Sequence, residues 1–164
     1  QYALHARRGD PADAAREAVE IVSASAMERR ATIAFKDDFQ RADFAFDPQA
    51  LRQILVNLLA NAVRYAPAGA EARLVLSSNA AGDLVATVSD DGVGMTEDQI
   101  ETALRRFGRV RLDPHIAQAG AGLGLPIVAG IVKLHGGELA IESALGNGAV
   151  VTVRLPALPV DAKL

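Results

Sequence analysis

The longest run of helically spaced apolar residues lies between positions 47 and 65. Asp47 is suited to the N-cap of a helix, and Pro48 to the first helical position, where its missing N–H costs nothing. The apolar positions spread widely around the helix axis, so we expect a mostly buried helix. They are Leu51, Ile54, Leu55, Leu58, Leu59 and Ala62. The polar residues fall on one narrow stripe, which consists of Gln53, Asn57, Asn61 and Arg64.

Two asparagines, Asn57 and Asn61, lie one helical turn apart on this stripe. A buried amide without a hydrogen-bond partner costs about 1–3 kcal/mol, so both side chains need partners. Backbone carbonyls and ordered water are the usual partners of buried amides. A bound ligand is the alternative, and three segments downstream favour it.

The remaining chain alternates between helical and strand patterns. Asp10 and Pro11 begin a second predicted helix. Residues 96–99 form a capping box that opens a short helix to about Leu104, and residues 125–135 predict a further helix. Residues 32–35 and 44–46 are β-prone and predict edge strands. Two predicted hairpins pair residues 73–77 with 84–89 and residues 138–143 with 149–155. Residues 105–119 follow neither pattern, which is typical of a lid or a binding loop.

Composition restricts the class of protein. With 164 residues, half of them hydrophobic, the chain can form one domain with a core. The net charge of −3 argues against a nucleic-acid partner, and the absence of cysteine excludes disulfides and thiolate metal sites. No apolar run approaches the roughly 18 residues that span a bilayer, so we expect a cytoplasmic domain without direct membrane insertion. Because the sequence opens on Gln1, we expect it to be part of a longer protein, whose membrane attachment stays open.

A glycine-rich turn follows the predicted strand that ends near Asp90. An ordinary Asp-Gly turn is one interpretation. The other rests on hydrogen-bond polarity, because an ionised carboxylate only accepts, and adenine offers an amino donor where guanine offers an acceptor. A buried Asp90 would therefore select adenine, and Gly92 and Gly94 would let the flat base approach the backbone.

Three alternate glycines, Gly120, Gly122 and Gly124, precede the last predicted helix. Backbone N–H groups at a helix start suit phosphate, although a flexible linker is the alternative. Arg64 and Tyr65 end the central helix and could supply a cation for phosphate and a ring for a base. A solvated terminal charge and a core ring are the alternative roles of these two residues.

Four segments, in this order, resemble the N box, first glycine box, F box and second glycine box of sensor histidine kinases. They are NLLANAVRY at 57–65, DDGVGM at 90–95, LRRFGR at 104–109 and GAGLGL at 120–125. The resemblance covers about residues 11–156 and points to the catalytic ATP-binding domain of the GHKL superfamily. It implies a Bergerat fold, an α+β two-layer α/β sandwich in which a mixed β-sheet packs against three helices and carries a flexible lid loop. We expect residues 1–10 to be an N-terminal connector and residues 157–164 a C-terminal tail.

The resemblance also implies ATP and Mg²⁺ as ligands. It places Asn61 on Mg²⁺, with Asn57 beside it on the nucleotide, and Asp90 on the adenine amino group. Tyr65 is expected near the base, and Arg64 and Arg109 on the phosphates. The other nucleotide-binding residues that it implies are Gly92, Gly94, Met95, Gly120, Gly122, Leu123, Gly124 and Leu125. Asn57, Asn61 and Arg64 are the implied catalytic residues.

The function implied is transfer of the ATP γ-phosphate to a histidine on a separate dimerisation domain of the same full-length protein, followed by phosphorelay to a response regulator. Of the three histidines, His5, His115 and His135, none matches the family's phosphoacceptor, so this chain is not expected to phosphorylate itself. Asn57 stands where gyrase-type ATPases carry a glutamate that activates water, so hydrolysis should be slow.

Two alternatives stay open. One is a serine kinase or ATPase of the same superfamily. The other is a degenerate, non-catalytic signalling module, suggested by two departures from the family pattern. Leu104 replaces the first phenylalanine of the F box, and Ala121 replaces the threonine of the second glycine box.

Overall fold

A layer of helices packs on one face of a β-sheet in the computed structural model, which describes residues 3–41, 43–104 and 124–160. The helices are α1 (Pro11–Glu28), α2 (Pro48–Tyr65), α3 (Glu97–Leu104) and α4 (Gly124–Leu134). The strands are β1 (Arg7–Gly9), β2 (Thr32–Asp37), β3 (Phe44–Phe46), β4 (Glu71–Ser78), β5 (Leu84–Asp90), β6 (Glu138–Ser143) and β7 (Ala149–Leu155).

Local capping interactions begin three of these helices where the sequence predicts them. The Asp10 carboxylate accepts from the backbone N–H of Ala12 at 2.9 Å, and Asp47 accepts from Ala50 at 3.1 Å. The predicted capping box is also present, since the backbone N–H of Gln99 donates to the hydroxyl of Thr96 at 3.2 Å and that of Thr96 to the amide of Gln99 at 2.9 Å. These hydrogen bonds satisfy N–H groups that the first turn of a helix leaves free.

The main sheet has five strands in the order β2-β4-β5-β7-β6. β2 and β4 run parallel, and the other neighbours are antiparallel, so the sheet is mixed. Both predicted hairpins are confirmed, as β4 with β5 and β6 with β7. The pairing places Arg73 opposite Ser89, and Asp90 opposite Ala149 at the start of β7.

The third strand differs from expectation. β2 is an edge strand of the main sheet, as predicted, whereas β3 lies outside that sheet and pairs antiparallel with β1. On β3, Ala45 also accepts a hydrogen bond from the backbone N–H of Leu158 at 2.8 Å. The predicted connector and tail therefore both contact β3, and all three β3 residues are buried.

The core lies between α2 and the inner face of the sheet. All six apolar positions predicted on α2 are buried, and they pack with alternate residues of β4, β5 and β7. These strand residues are Leu74, Leu76, Leu84, Ala86, Val88, Val151, Val153 and Leu155. α1 and α4 flank α2, which gives the predicted sandwich of three helices on a mixed sheet. Within the described residues, no helix is both long and apolar enough to traverse a bilayer.

Candidate functional site

The polar stripe of α2 lies at the edge of the core. Asn57, Asn61 and Arg64 are half-buried, and Gln53 is exposed. The amide nitrogen of Asn57 donates to the backbone carbonyl of Gln53 at 3.0 Å, so this side chain has a local partner of the usual kind. Asn57 alone therefore does not demand a ligand.

Asn61 meets the start of α4. A Cβ atom at Gly124, the first residue of that helix, would lie 3.3 Å from the amide nitrogen of Asn61 and 3.6 Å from its oxygen. The lack of a side chain at position 124 thus lets the carboxamide lie against the backbone of the helix start. Leu125 follows and is partly buried against the core. A helix start presents free N–H groups and a partial positive charge, which favour anions.

Asp90 ends β5 near the end of α2, on the same face of the strand as Ala86 and Val88. Its carboxylate accepts from the backbone N–H of Gly92 at 2.8 Å. Burial raises the pKa of Asp90 above its ordinary value, while hydrogen bonds from the N–H groups of Gly92 and Ala149 oppose that rise in pKa. The predicted adenine-selecting carboxylate is therefore a half-buried group held by backbone donors.

The glycines of this turn meet protein backbone. A Cβ at Gly92 would overlap the backbone carbonyl of Tyr65, and one at Gly94 would overlap the carbonyl of Ala144. The sequence interpretation gave these glycines the task of admitting a flat base. The described contacts give them another reason, because close backbone packing itself forbids a side chain at both positions.

The β6–β7 turn supports the Asp90 turn from the other side. A Cβ at Gly148 would overlap the carbonyl of Asp90. The hydroxyl of Ser143 accepts from the backbone N–H of Met95 at 2.8 Å and donates to the carbonyl of Gly148 at 2.6 Å. Ser143 and Gly148 are thus positioning residues, a role that the sequence analysis did not assign to them. Their signal was a serine and a glycine at the ends of a hairpin, which is too common to be specific.

One turn of α2 joins these parts. Asn61 contacts the start of α4, and Tyr65, one turn later, contacts the Asp90 turn through its carbonyl. The carbonyl of Arg64 accepts from the guanidinium of Arg29 at 3.2 Å, which secures the same helix end. Of the other predicted site residues, Arg109, Gly120, Gly122 and Leu123 lie outside the described residues, as do Ala121 and the predicted lid.

Comparison with known proteins identifies the family. Residues 46–159 match the family described as histidine kinase-, DNA gyrase B-, and HSP90-like ATPase. The match spans well over half of the chain and includes α2, the Asp90 turn and the start of α4. This chain therefore belongs to that ATPase family, as its four sequence motifs predicted.

Individual relatives narrow the likeness to histidine kinases. The cell-division control histidine kinase PdhS of Brucella anthropi is 33% identical over 152 residues, which cover 88% of this chain and 14% of that protein. The structure of full-length ShkA in complex with AMPPNP is 28% identical, with a TM-score of 0.81, over 99% of this chain and 33% of that one. The nucleotide-free catalytic domain of the histidine kinase ThkA has the same fold, with 19% identity and a TM-score of 0.80 over 94% of this chain and 97% of that one. The chain thus spans only a small part of the curated relative.

Proposed function

We propose that this chain binds Mg-ATP and transfers the γ-phosphate to a histidine on a dimerisation domain of the same full-length protein, from which a response regulator receives it. The observation that carries the proposal is the single turn of α2 that contacts both the start of α4 and the Asp90 turn. The polar edge of α2, the start of α4, which favours anions, and Asp90, which can accept from adenine, then border one site. The histidine kinase relatives support the same function, and a cytoplasmic location agrees with it.

Asp90 is proposed to select the base. A carboxylate has about four acceptor positions, and the N–H groups of Gly92 and Ala149 use part of this capacity. The remaining capacity suits the amino group of adenine, whereas guanine would present an acceptor to an acceptor. Tyr65 is proposed to lie near the base, with Gly92, Gly94 and Met95 shaping its surroundings.

The α2 edge and the α4 start are proposed to hold the triphosphate. Arg64 lies in the last turn of α2 and supplies a cation. Gly124 and Leu125 begin α4, where N–H groups favour phosphate. By the same family pattern, Arg109, Gly120, Gly122 and Leu123 are proposed to complete the phosphate contacts.

Asn61 is proposed to hold Mg²⁺. Among the residues that the structure describes, no group of three or more acidic, histidine or cysteine side chains could bind a metal ion. A single carboxamide oxygen at Asn61 still fits Mg²⁺, because this ion keeps several waters and binds substrate phosphates with few protein ligands. When bound, the ion would neutralise phosphate charge during transfer.

Phosphoryl transfer depends chiefly on positioning and charge neutralisation, so the acceptor can come from outside this chain. His135 is 3% exposed, and its Nδ1 lies 3.0 Å from the carbonyl of Ile131. A buried imidazole of this kind cannot reach a nucleotide. The side-chain amide of Asn57 bonds to its own helix and cannot act as a base toward water. Hydrolysis of ATP by this chain is therefore expected to be slow.

Stabilisation by nucleotide tests the proposed function. At about 100 times its dissociation constant, Mg-ATP should stabilise the fold by roughly 2.7 kcal/mol. Asn61→Ala should remove this gain in Mg-ATP while the ligand-free protein stays folded. Gln53→Ala, on the exposed part of the same stripe, should retain the gain. If the unmutated protein melts at the same temperature with and without Mg-ATP, the proposal fails.

The acceptor needs its own measurement. The protein should be mixed with labelled Mg-ATP and a dimerisation domain that carries the phosphoacceptor histidine. Label that is lost in acid and retained in alkali would identify phosphohistidine. Acid-stable label on serine, or rapid ATP hydrolysis without transfer, would instead support the alternative GHKL serine kinase or ATPase.

A further inference from the structure

Arg73 on β4 bonds to both residues that flank Asp90. Its Nε donates to the hydroxyl of Ser89 at 3.2 Å. Its two terminal nitrogens donate to the two carboxylate oxygens of Asp91, at 3.3 and 3.2 Å. One guanidinium thus holds the residue before Asp90 and the residue after it, and the paired hydrogen bonds fix direction as well as distance.

This arrangement follows from strand register. Arg73 lies directly opposite Ser89 in the antiparallel β4–β5 pair. Ser89 belongs to the half-buried outer face of the sheet, whereas Asp90 follows the buried residues of the inner face. Because side chains alternate across a strand, Arg73 bonds to the turn on the face of the sheet opposite to the Asp90 carboxylate. Arg73 can therefore position Asp90 without contacting a ligand bound on the helix side.

The charges of these three residues are coupled. The hydrogen bond to Asp91 is the main cause of the raised pKa of Arg73. For Asp90, burial is the main cause of the raised pKa, the negative charge of Asp91 adds to that rise, and the positive charge of Arg73 opposes it. The guanidinium therefore offsets the second carboxylate of the turn and favours an ionised Asp90.

Stability alone does not account for so specific an arrangement. The side chains of Arg73 and Asp91 are 39% and 66% exposed, and exposed ion pairs contribute little to folding. Gly92 and Gly94 pack closely against backbone, so a small change in the conformation of this turn would also move the Asp90 carboxylate. Loss of Arg73 should therefore change nucleotide selectivity more than it changes the free energy of unfolding.

We propose that Arg73 is a positioning residue for base selection, which clamps Ser89 and Asp91 so that the Asp90 carboxylate is held in place for the amino group of adenine. The proposal rests on the proposed function and names a determinant of its specificity. Asp91 is the second half of the clamp.

The chain offers a matched control at the opposite end of β5. Arg154 donates to the carboxylate of Asp83 at 3.1 Å, and Asp83 directly precedes that strand. This Arg–Asp pair is less exposed than the Arg73–Asp91 pair, at 28% and 18%. Arg154 also lies 3.6 Å from the carboxylate of Glu138, so Arg154→Gln removes at least as much ion pairing from the same sheet without touching the Asp90 turn.

The experiment compares Arg73→Gln with Arg154→Gln by ATP and GTP titration and by amide hydrogen exchange at Gly92, whose N–H bonds to Asp90. Arg73→Gln should weaken ATP binding by about tenfold, reduce the preference for ATP over GTP, and speed exchange at Gly92. Asp91→Asn should act in the same direction, and Arg73→Lys, which keeps the charge but loses the paired geometry, should recover only part of the affinity. Arg154→Gln should leave the nucleotide preference and Gly92 exchange unchanged.

The outcomes separate a failure of the proposed Arg73 clamp from a failure of the proposed ATP-binding function. Unchanged Gly92 exchange in Arg73→Gln overturns the clamp even if the protein binds ATP. Faster exchange with unaltered ATP preference shows a structural role only and also overturns it. If the unmutated protein binds no nucleotide, the proposed function fails, whereas exchange at Gly92 still reports whether Arg73 holds the turn.

Discussion

Asn61 and Gly124 lie in contact, and a Cβ on the glycine would come within 3.3 Å of the asparagine amide nitrogen. These residues are far apart in sequence, one in the last turns of α2 and the other at the start of α4. Their contact brings the proposed magnesium ligand to a helix start that favours phosphate. A methyl group at position 124 would therefore crowd the proposed magnesium ligand.

Gly124→Ala tests that crowding. The added methyl group should displace the Asn61 carboxamide by a few tenths of an ångström, and Mg-ATP affinity should fall by about tenfold, or roughly 1.4 kcal/mol. Folding stability should change little, because alanine favours a helix more than glycine does and offsets the crowding. Calorimetric titration of Mg-ATP, with urea unfolding in parallel, measures both quantities.

Gly130→Ala is the control for that substitution. Gly130 lies in the same helix, and a Cβ there would meet no atom within 4 Å. This variant should be more stable by about 0.5–1 kcal/mol with unaltered Mg-ATP affinity. If both variants bind Mg-ATP as the unmutated protein does, the Asn61–Gly124 contact has no role in binding.

Gly148→Ala should disturb the Asp90 turn from the β6–β7 side. The residue has φ +69°, and its Cβ would overlap the carbonyl of Asp90. Gly146 in the same turn has φ +82° with open space around it, so Gly146→Ala carries only the backbone strain of about 1–2 kcal/mol. Gly148→Ala should lose more stability than Gly146→Ala, as measured by urea unfolding. Equal losses would mean that the turn does not pack on Asp90 as described.

Asp90→Asn should weaken ATP binding far more than it changes stability. The N–H group of Gly92 donates to one carboxylate oxygen of Asp90, so the new amide should keep its oxygen there and turn its NH₂ group toward the amino group of adenine. A donor facing a donor loses a hydrogen bond, at about 1–3 kcal/mol. Competitive titration with ATP and GTP measures the effect. Equal affinity of the unmutated protein for the two nucleotides would contradict base selection by Asp90.

The raised pKa of Asp90 also predicts a pH dependence of stability. Because the folded pKa exceeds the ordinary value of 3.8, the folded state keeps its proton over a wider range. The resulting stabilisation is complete below the unfolded pKa and is lost as the pH rises through the folded pKa. Relative to the unmutated protein, Asp90→Asn should therefore gain stability as the pH rises through this window. Urea unfolding at several pH values measures the difference, and parallel curves for the two proteins would contradict it.

The contacts of Arg73 with Ser89 and Asp91 could not be predicted from the sequence. The hairpin that contains Arg73 and Ser89 follows from two alternating segments. The pairing of these two residues depends on register, and the bonds to Asp91 depend on the path of the chain after β5. Neither can be read from the pattern, because a shift of one residue would move every side chain to the other face.

β3 gives the same lesson for the fold. Its three residues are β-prone, and the sequence analysis predicted them to form an edge strand. Their partner is β1, which is three residues long and too short to give a pattern of its own. Strand partners distant in sequence are chosen by competition for the whole buried surface, which a local pattern does not contain.

The sequence by itself determined the helices, the two hairpins, the family and the order of its motifs, because caps, periodicity and turns act between residues close along the chain. Only the tertiary structure decided which of those residues touch. It laid Asn61 against Gly124 and packed Gly92 and Gly148 against backbone so tightly that neither tolerates a side chain. Such contacts depend on how whole elements pack, and packing at this density follows from all the side chains of the core together.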